Sequence, residues 1–581
     1  MRARMHKATV VDSMSLVLTG SGGAGVMTAG ETLLGAAQRC GLYGLMTRSS
    51  GPQIRGGEAA ALLRLANYPV ESHADRFDIL LALDFENSQR FAAEIPLDHD
   101  SLIVADSGAG EVPPAIAAYG ARLAFTEIAD MTRTIKGGRV SMIALGILAA
   151  LIGMPEEALL EAVKATIGER KPEALAPSQA AVRMGTNAAK GLPHAPHLNF
   201  SQKPSKGRWS LTGNEATGYG AIKGGVRFVA GYPITPATEI LEWMAPALQK
   251  CGGVLVQAED ELASINMIIG ASHGGVPSLT ATAGPGLSLM IESLGLAVAS
   301  ETPIVVVDVM RTGPSTGIAT KSEQTDLNIA VYGLHGDAPH VVVAPLGISD
   351  CLPTTQWSIE LAEAIQTPVL VLSDQSIGQS QAIIDRPKDV PFAAKRQVVE
   401  PGEANYRRYE TTESGISPMT LPGTKGGQYT ADGLEHNTRG TPSSQAQDHI
   451  AQLDKRQRKV SGYSYGDFWA DVEGEGELAV ITWGSSTQPV REAVKLAQSK
   501  GLAVKLIAMR LISPAQPEKL RKELEGVKRI LVIEQSHQGQ FWRYLRAHYD
   551  LAAEIVPIHR PGPLPIRPGE ILSSLMKEAH A

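Results

Sequence analysis

Several short motifs in the 581-residue sequence place hydroxyl or carboxylate groups next to residues that fix the backbone. The segment Gly231–Glu239 reads GYPITPATE, in which two prolines enclose Thr235 and restrict the backbone around one hydroxyl. Thr238 is expected to cap the helix that follows this turn. The segment Gln257–Glu261 reads QAEDE and crowds three carboxylates at the start of an apolar helix. Such carboxylates either stabilise the positive end of a helix dipole or exchange protons with a ligand.

Two further motifs follow apolar runs in the same part of the chain. Residues 280–286 read TATAGPG, a glycine turn before an apolar helix, and Arg311 begins RTGPSTG, which continues to Gln324 and Asp326. A lone arginine at a strand end usually pairs with acidic neighbours, but a guanidinium also binds a carboxylate through two parallel hydrogen bonds. Several such turns in one domain favour a ligand site, because ligands bind at the carboxyl ends of strands in open α/β sheets.

Two glycine-rich loops lie nearer the amino terminus. The loop GSGGAG at 20–25 follows an apolar run and precedes a helical pattern, so it either binds phosphate or is a ligand-free turn. The acidic residue expected in a dinucleotide site is missing from 40–50. Arg48 and Arg55 flank the second loop, which either binds phosphate or pairs with acidic neighbours on the surface. The glycines that would carry the first site are Gly20, Gly22, Gly23 and Gly25.

Bulk composition narrows the class of protein. A net charge of -7 gives no basic surface for nucleic acid, and no apolar run approaches the roughly 20 residues needed to span a membrane. Cys40, Cys251 and Cys351 are too far apart in sequence to indicate a disulfide framework, a zinc site or an iron–sulfur cluster held by this chain alone. We therefore expect no metal ligands in this chain, and the composition fits a reducing cytoplasm.

Apolar runs that alternate with helical patterns predict the α/β class, with several doubly wound domains. Residues 1–190 are expected to form a first domain on a parallel sheet, followed by a linker at 191–209 that is rich in Pro, Gly and Lys. Residues 210–385 form a second domain, whose continuous β-branched runs are typical of strands covered on both faces. Residues 386–460 are an extended excursion ordered by other domains or subunits, and 461–581 form a small third domain.

The pattern of apolar residues also predicts individual elements. Helices are expected at 26–37, at 140–165 with a break at 153–155, and at 488–500. Strands are expected at 15–19, 79–83, 102–105, 226–230, 254–257, 278–281, 304–308, 368–372, 478–482, 503–508 and 530–534.

In this order the motifs GYPITPATE, QAEDE, TAGPGLSLM and R-x-GPSTG with Q-x-DL resemble the alpha subunit of 2-oxoacid:ferredoxin oxidoreductases. GSGGAGV and SSGPQIRGGE resemble their gamma subunit, and the similarity extends through GISPM and EHNTRG at 417–440. It implies a gamma-type domain, a thiamine-diphosphate pyrimidine-binding-like domain and a transketolase C-terminal-like domain in one chain. It also implies thiamine diphosphate-dependent cleavage of a 2-oxoacid, acyl transfer to coenzyme A and electron transfer to ferredoxin, or the reverse carboxylation.

The resemblance assigns roles to particular residues. Glu261 matches the glutamate that hydrogen-bonds N1′ of the cofactor's aminopyrimidine. Thr235 matches a threonine that hydrogen-bonds the substrate, and Arg311 matches the arginine that binds the substrate carboxylate. The remaining assignments are Pro233, Gly284 and Pro285 to thiamine diphosphate, and Gly20, Gly22, Gly23, Gly25 and Arg55 to coenzyme A.

The same resemblance implies a missing partner chain. In this family the diphosphate and Mg²⁺ site and the cysteines of a [4Fe-4S] cluster belong to a separate beta subunit. The GDG-to-NN thiamine diphosphate signature is absent from this sequence, which agrees with that division. The expected assembly is a dimer of gamma–alpha/beta heterodimers that reduces ferredoxin.

The segment after Arg311 bears on the substrate. It reads GPSTGIATKSEQTDL, which is similar to the 2-oxoglutarate and broad 2-oxoacid enzymes and lacks the S-I-x-x-D-H-like pattern of pyruvate enzymes. Ala319 stands where proline is usual and Met419 where arginine is frequent, so the pocket departs from the common pattern. The leading hypothesis is a 2-oxoglutarate enzyme. The alternatives are a broad or branched-chain 2-oxoacid enzyme, a dinucleotide-dependent dehydrogenase subunit and a non-catalytic scaffold.

Overall fold

The structure, a computed structural model, describes residues 9–51, 58–86, 88–168, 171–200, 207–402 and 405–579. The chain divides into two compact units that are each made of more than one segment. Unit 1 is Met1–Leu211, Ser380–Arg386 and Arg567–Gly569, and unit 2 is Thr212–Gln379, Pro387–Ile566 and Glu570–Ala581.

The described residues form strands and helices that alternate along most of the chain. The strands are β1 (Val10–Val11), β2 (Ser13–Ser21), β3 (Tyr43–Ser50), β4 (Glu58–Ala66), β5 (Ile79–Ala82), β6 (Leu102–Asp106), β7 (Arg122–Thr126), β8 (His197–Leu198), β9 (Arg208–Thr212), β10 (Phe228–Gly231), β11 (Val254–Gln257), β12 (Ser278–Thr282), β13 (Val305–Met310), β14 (Val341–Val343), β15 (Val369–Asp374), β16 (Gln381–Asp385), β17 (Ala470–Glu473), β18 (Leu478–Trp483), β19 (Val504–Met509), β20 (Leu511–Ser513), β21 (Arg529–Glu534) and β22 (Glu554–His559). The helices are α1 (Val26–Arg39), α2 (Pro114–Ala117), α3 (Ile128–Arg133), α4 (Val140–Leu151), α5 (Glu156–Val163), α6 (Leu175–Ala188), α7 (Gly213–Gly224), α8 (Thr238–Lys250), α9 (Glu261–His273), α10 (Gly284–Ala299), α11 (Leu327–Tyr332), α12 (Ile348–Ile365), α13 (Gln375–Gln379), α14 (Ala446–Ser461), α15 (Thr487–Ser499), α16 (Pro517–Glu523), α17 (Gln540–His548) and α18 (Pro568–Glu578).

Unit 1 is built on a mixed sheet with the strand order β7-β6-β5-β2-β4-β3-β16-β9. Strands β2, β5, β6 and β7 pair in parallel, whereas β4 is antiparallel to both β2 and β3, and β16 is antiparallel to β3. The prediction of a parallel sheet is therefore wrong for this half. Strands β3 and β4 are adjacent along the chain and pair as a hairpin. The segment between them is too short for the crossover connection that a parallel pair needs.

Unit 2 contains two sheets that share one apolar core. The larger sheet has the order β11-β10-β12-β13-β15-β14-β20 and is parallel except for β20, which is antiparallel to β14. The smaller sheet has the order β17-β19-β18-β21-β22, with only β17 antiparallel among its described strands. Because β20 comes from the carboxyl-terminal part of the chain, the second and third predicted domains are joined by hydrogen bonds as well as by packing.

The predicted elements that bear on the site are confirmed with small shifts at their ends. The run at 254–257 forms β11 over the predicted residues, and the run at 304–308 forms β13, which begins one residue later and ends two residues later. The predicted helical pair at 140–165 is α4 followed by α5, and the predicted helix at 488–500 is α15. None of the helices that the structure describes has the length and apolar character needed to cross a bilayer.

The predicted excursion at 386–460 packs closely on the larger sheet's helices. Arg396 places its guanidinium on the Glu363 carboxylate through two hydrogen bonds of 2.7 Å and also bonds the carbonyl of Ser272. Arg408 is fully buried and donates to the Glu301 carbonyl at 2.8 Å. These contacts within unit 2 explain how a stretch with few strands and helices remains ordered where the structure describes it.

Candidate active site

The turn after β10 is held in place by a side chain from α7. The amide of Asn214, which is 1% exposed, donates to the Pro236 carbonyl at 3.0 Å and to the Glu239 carboxylate at 3.3 Å. Helix α8 begins at Thr238 after Ala237, and no side chain caps it, so the predicted threonine cap is wrong. The turn around Thr235 is therefore positioned by a distant asparagine rather than by its own residues.

Asn214 in turn is fixed by the start of its own helix. Thr212 and Glu215 form a capping box, in which the Thr212 hydroxyl accepts from the Glu215 amide at 3.1 Å and the Glu215 carboxylate accepts from the Thr212 amide at 2.8 Å. The T-x-x-E spacing was the one sequence signal for this helix start. It gave no indication that the residue within the box would reach the Thr235 turn.

The three carboxylates of QAEDE lie in three different environments. Glu259 is exposed, and Asp260 caps α9 by accepting from the Ala263 amide at 2.7 Å. Glu261 is the first residue of α9 and is only 6% exposed. A Cβ at Gly286 would lie 2.8 Å from Oε1 of Glu261, so the glycine leaves room for this carboxylate. Glu261 is thus the one buried carboxylate of the three and the one fitted to meet a ligand.

Arg311 meets the Thr235 turn directly. Its Nη1 donates to the Thr235 carbonyl at 2.8 Å, and the residue is 8% exposed. Arg311 immediately follows β13, and Thr235 follows β10 in the same sheet, so both come from the carboxyl ends of parallel strands. Burial lowers the pKa of Arg311. The contact uses the carbonyl of Thr235 rather than its hydroxyl, and Nε of Arg311 has no partner among the described residues.

A cavity of about 580 Å³ opens beside Arg311. It brings Arg311 together with Gly284 and Pro285, whereas Thr235 and Glu261 are not among its lining residues. Thr235 is bonded to Arg311, and Glu261 lies next to Gly286 in the first turn of α10, which begins with Gly284 and Pro285. The cavity also contains residues that sequence analysis did not single out. The lining residues are Gly284, Pro285, Ser288, Arg311, Gly313, Pro314, Ser315, Glu323, Thr325, Asp326, Asn328, Ile329, His537, Gln538 and Gln540.

Pro233, which was assigned to the cofactor, is exposed on the turn before Thr235 and is not part of the cavity lining.

Two glutamines join the cavity segment to the smaller sheet. Gln324 donates to the Trp483 carbonyl at 3.0 Å and accepts from the Gln535 amide at 2.7 Å. Gln540 donates to the Thr325 carbonyl at 2.8 Å. The wall of the cavity is therefore fixed from the carboxyl-terminal part of the chain.

The cavity contains acidic groups behind the arginine. Asp326 lines it, and the fully buried Asp308 lies next to Asp326. Burial and the neighbouring Asp326 raise the pKa of Asp308 well above its usual range, and burial raises the pKa of Asp326 to about 6. Burial likewise raises the pKa of Glu323. The site thus combines one guanidinium with carboxyls that are able to hold protons near neutral pH.

The amino-terminal glycine loop differs from a phosphate-binding loop whose backbone amides are available to a ligand. The backbone amide and the hydroxyl of Ser21 both donate to the Asp84 carboxylate at 2.8 Å. A carboxylate at this turn opposes a second anion there, and β2 lies next to an antiparallel strand rather than in a dinucleotide-binding sheet. Arg48 lies in β3 and pairs with Glu31 at 3.0 Å. Arg55 lies outside the described residues.

Comparisons with known proteins cover nearly the whole chain. Residues 15–188 match the family model for pyruvate ferredoxin/flavodoxin oxidoreductase, and 219–455 match that for the thiamine diphosphate-binding part of pyruvate flavodoxin/ferredoxin oxidoreductase. Residues 476–570 match core domain II of pyruvate:ferredoxin oxidoreductase. The 2-oxoglutarate synthase subunit KorA of Methanothermobacter marburgensis is 35% identical over 63% of this chain and 98% of its own length.

The chain belongs to the 2-oxoacid:ferredoxin oxidoreductase family. The alpha subunit of a 2-oxoacid:ferredoxin oxidoreductase from a Sulfolobus species is 29% identical over 91% of each chain. The 2-oxoglutarate:ferredoxin oxidoreductase of Magnetococcus marinus, solved with 2-oxoglutarate, coenzyme A and succinyl-CoA bound, is 36% identical. The two structures superpose with a TM-score of 0.90 over 98% of this chain and 100% of the other. The similarity confirms the predicted family and fold class.

Proposed function

We propose that this chain is the gamma–alpha subunit of a 2-oxoglutarate:ferredoxin oxidoreductase. It interconverts 2-oxoglutarate, coenzyme A and oxidised ferredoxin with succinyl-CoA, carbon dioxide and reduced ferredoxin. The observation that carries the proposal is the hydrogen bond from Arg311 to Thr235 beside a cavity of about 580 Å³, with the buried Glu261 nearby. The similarity to KorA, a 2-oxoglutarate synthase subunit, and to the 2-oxoglutarate enzyme of Magnetococcus marinus favours 2-oxoglutarate among the 2-oxoacids.

Glu261 is the residue that we assign to thiamine diphosphate. When bound, this cofactor supplies the carbanion chemistry that breaks the bond between C1 and C2 of a 2-oxoacid. Glu261 would hold the proton that it shares with N1′ of the aminopyrimidine. The burial of Glu261 and the space left for it by Gly286 fit this role, and Gly284 and Pro285 begin the same helix. Pro233, exposed on the neighbouring turn, is proposed to meet the cofactor from outside the cavity.

Arg311 and Thr235 are assigned to the substrate. The guanidinium of Arg311 has donors beyond the one used on the Thr235 carbonyl, and they suit the two oxygens of the C1 carboxylate. The hydroxyl of Thr235 would donate to an oxygen of the substrate. Because Arg311 is nearly buried, its attraction for a carboxylate is screened less by water than it would be on an open surface.

The remaining parts of the reaction are assigned to partners. We propose that a beta chain supplies the diphosphate and Mg²⁺ site and the [4Fe-4S] cluster, that two gamma–alpha/beta heterodimers associate, and that ferredoxin accepts the electrons in the cytoplasm. Coenzyme A is assigned to the loop at Gly20–Gly25. Since the Ser21 amide already donates to the Asp84 carboxylate, a phosphate of coenzyme A would be bound by the exposed residues Gly22 and Gly23.

The proposed function is tested by turnover of the complex assembled with its beta chain. Reduction of a viologen is measured with 2-oxoglutarate, pyruvate and a branched 2-oxoacid, each with coenzyme A. We expect 2-oxoglutarate to have the highest kcat/KM, and Glu261→Gln to lower kcat by at least about 100-fold without loss of assembly. A preference for pyruvate would refute the substrate assignment, and full activity of the Glu261→Gln complex would refute the role of that residue.

A second candidate is a broad-specificity 2-oxoacid enzyme. The Sulfolobus relative, which is named for 2-oxoacids in general, matches both the gamma-type and the alpha-type regions, since it covers 91% of this chain. Comparable kcat/KM values for the three 2-oxoacids in the same assay would favour this candidate over the 2-oxoglutarate enzyme.

A further inference from the structure

Asp308 is a carboxyl group buried in the middle of the larger sheet. It lies on β13, opposite Thr282 of β12 and Leu372 of β15, and is 0% exposed. Neither of its carboxyl oxygens receives a hydrogen bond from a donor group among the described residues. Since an ionised carboxylate without donors is costly to bury, Asp308 is held in its protonated form.

Asp326 connects this buried group with the cavity. It precedes α11 without capping that helix, lines the cavity together with Arg311, and faces Asp308. A Cβ at Gly284 would lie 2.6 Å from one carboxyl oxygen of Asp326 and 2.8 Å from the other, so this carboxyl lies against the amino end of α10. Asp326 accepts a long hydrogen bond of 3.4 Å from the Thr325 hydroxyl, and a side-chain hydrogen bond joins it to Asp308. Two adjacent carboxyls in such surroundings do not both ionise near neutral pH.

Among the described residues, the charged groups that act on the pair from outside it are Arg311 and Glu323. Arg311 follows β13 and favours the ionised form of Asp326, whereas Glu323, on the same segment as Asp326, opposes it. Glu323 itself faces His537. On β15, the Asp374 carboxylate accepts from the Ile377 amide at 3.0 Å, and the first turn of α10 has no acidic side chain. Arg311 is therefore the cation that favours the ionised form of Asp326.

We propose that Asp326, backed by Asp308, is a positioning residue that takes up one proton from solvent when the substrate carboxylate binds to Arg311. The inference rests on the proposed binding of a 2-oxoacid by Arg311. Before binding, Arg311 is balanced by the Asp326 carboxylate. A substrate carboxylate brings a second negative charge to the same guanidinium, and protonation of an Asp326 oxygen removes the repulsion. The guanidinium then pairs with the substrate alone.

The direction of the pH dependence follows from linkage. Substrate binding raises the pKa of Asp326 above its free-enzyme value of about 6. Affinity is therefore greatest below that pH and falls as pH rises through it, by at most about tenfold per pH unit. The fall ends where the pH reaches the higher pKa of the substrate-bound form. An ionised Asp326 with no role in binding would leave affinity constant over this range.

The test measures proton uptake in the assembled complex with N-oxalylglycine, a 2-oxoglutarate analogue with nitrogen in place of C3. Titration calorimetry at pH 7 in two buffers with different ionisation enthalpies gives the number of protons bound. We expect uptake of more than half a proton by the wild type and none by Asp326→Asn, which imitates the protonated carboxyl. The KM of Asp326→Asn for 2-oxoglutarate should also be constant between pH 6 and 8.

Two variants provide comparisons. Glu360→Gln removes another carboxyl whose pKa is raised by burial, on α12 outside the cavity, and should leave proton uptake unchanged. Glu323→Gln removes the other acid of the cavity, and abolition of uptake by this variant alone would overturn the assignment to Asp326. Absence of uptake in the wild type would overturn the proposal without any variant.

The proposed function and this inference fail in different ways. A complex that oxidises 2-oxoglutarate with a KM that is constant between pH 6 and 8 keeps the proposed function and loses the proton uptake. A complex that oxidises only another 2-oxoacid loses the substrate assignment. In that case the inference is decided by the pH dependence of the KM for that 2-oxoacid, in the wild type and in Asp326→Asn.

Discussion

Arg311 shows how one side chain depends on two distant turns. Its Nη1 is bonded to the Thr235 carbonyl at 2.8 Å, and its own backbone carbonyl accepts from the Thr325 hydroxyl at 3.3 Å. One bond positions the guanidinium against the Thr235 turn, and the other joins the backbone of Arg311 to the segment at Thr325. A lysine would retain the charge but not the planar fork of donors.

The first prediction concerns Arg311→Lys. We expect the KM for 2-oxoglutarate to rise by about 10–100-fold, because the substitution removes one charge-assisted hydrogen bond to the substrate. The change in kcat should be smaller. Steady-state kinetics of the assembled complex measure both values. Arg546→Lys, at an exposed position of α17, is the matched control and should change neither. An unchanged KM in Arg311→Lys would show that this guanidinium does not bind the substrate carboxylate.

At the same scale, the sequence singled out some residues of the candidate site and missed others. Thr235, Glu261 and Arg311 could be singled out because each follows an apolar run within a distinctive turn. Asn214 and Asp308 could not, because their roles come from partners that are far away in sequence or on another strand. In the sequence, Asp308 within PIVVVDV resembles a polar residue that ends a strand. The structure is needed to show that the carboxyl of Asp326 lies beside it.

At the scale of elements, α14 is tied to the end of α10 by a buried cluster of charges. Lys455 and Lys459 both donate to the Glu301 carboxylate, and all three side chains are at most 1% exposed. The two ammonium groups hold the pKa of Glu301 well below its usual range although burial alone would raise it. Burial and the neighbouring Lys455 lower the pKa of Lys459 to about 7. Glu301 is therefore the group that compensates two buried cations.

The second prediction is that Glu301→Gln destabilises the chain by about 3–5 kcal/mol, because it leaves two buried ammonium groups without their counter-ion. Urea unfolding of the purified complex measures the free energy, and hydrogen exchange should show α14 opening first. Glu292→Gln, an exposed position on the same α10, is the control. Stability equal to that of the control would contradict the role of Glu301. Its depressed pKa also means that this stabilisation exists above pH 4.5 and is lost as the pH falls below it.

Elements were easier to predict where burial left a strong local pattern. Strands such as β13 and β15 are continuous β-branched runs because helices cover both of their faces. The hairpin of β3 and β4 was missed because the polar end of β3 has the composition of a loop. Strand β20 was also missed, since its three residues form a strand only by pairing with β14, which lies far away in sequence.

At the scale of the whole molecule, α9 and α10 carry large apolar side chains that are exposed in this chain. Leu262, Met267 and Leu289 are 48%, 41% and 52% exposed, and we refer to these three exposed side chains of the two helices as the α9–α10 face. Asn266 of α9 bonds Ser293 of α10 at 3.1 Å, so the two helices present this face together. Large apolar side chains exposed on neighbouring helices often mark a surface that a partner covers. Leu262 also directly follows Glu261, which places the face beside the proposed cofactor contact.

The last prediction is that the beta chain covers the α9–α10 face and thereby completes the cofactor site. Leu262→Arg would place a charge in that interface, where it has no partner, so we expect co-purification with the beta chain and viologen reduction to be lost together. Leu496→Arg, at a position 37% exposed on α15, adds the same charge elsewhere and should leave both intact. Near-wild-type melting of the isolated Leu262→Arg chain would show that the loss is one of association rather than folding. An assembled and active Leu262→Arg complex would mean that another surface carries the partner, and the exposed leucines of α9 and α10 would then need a different explanation.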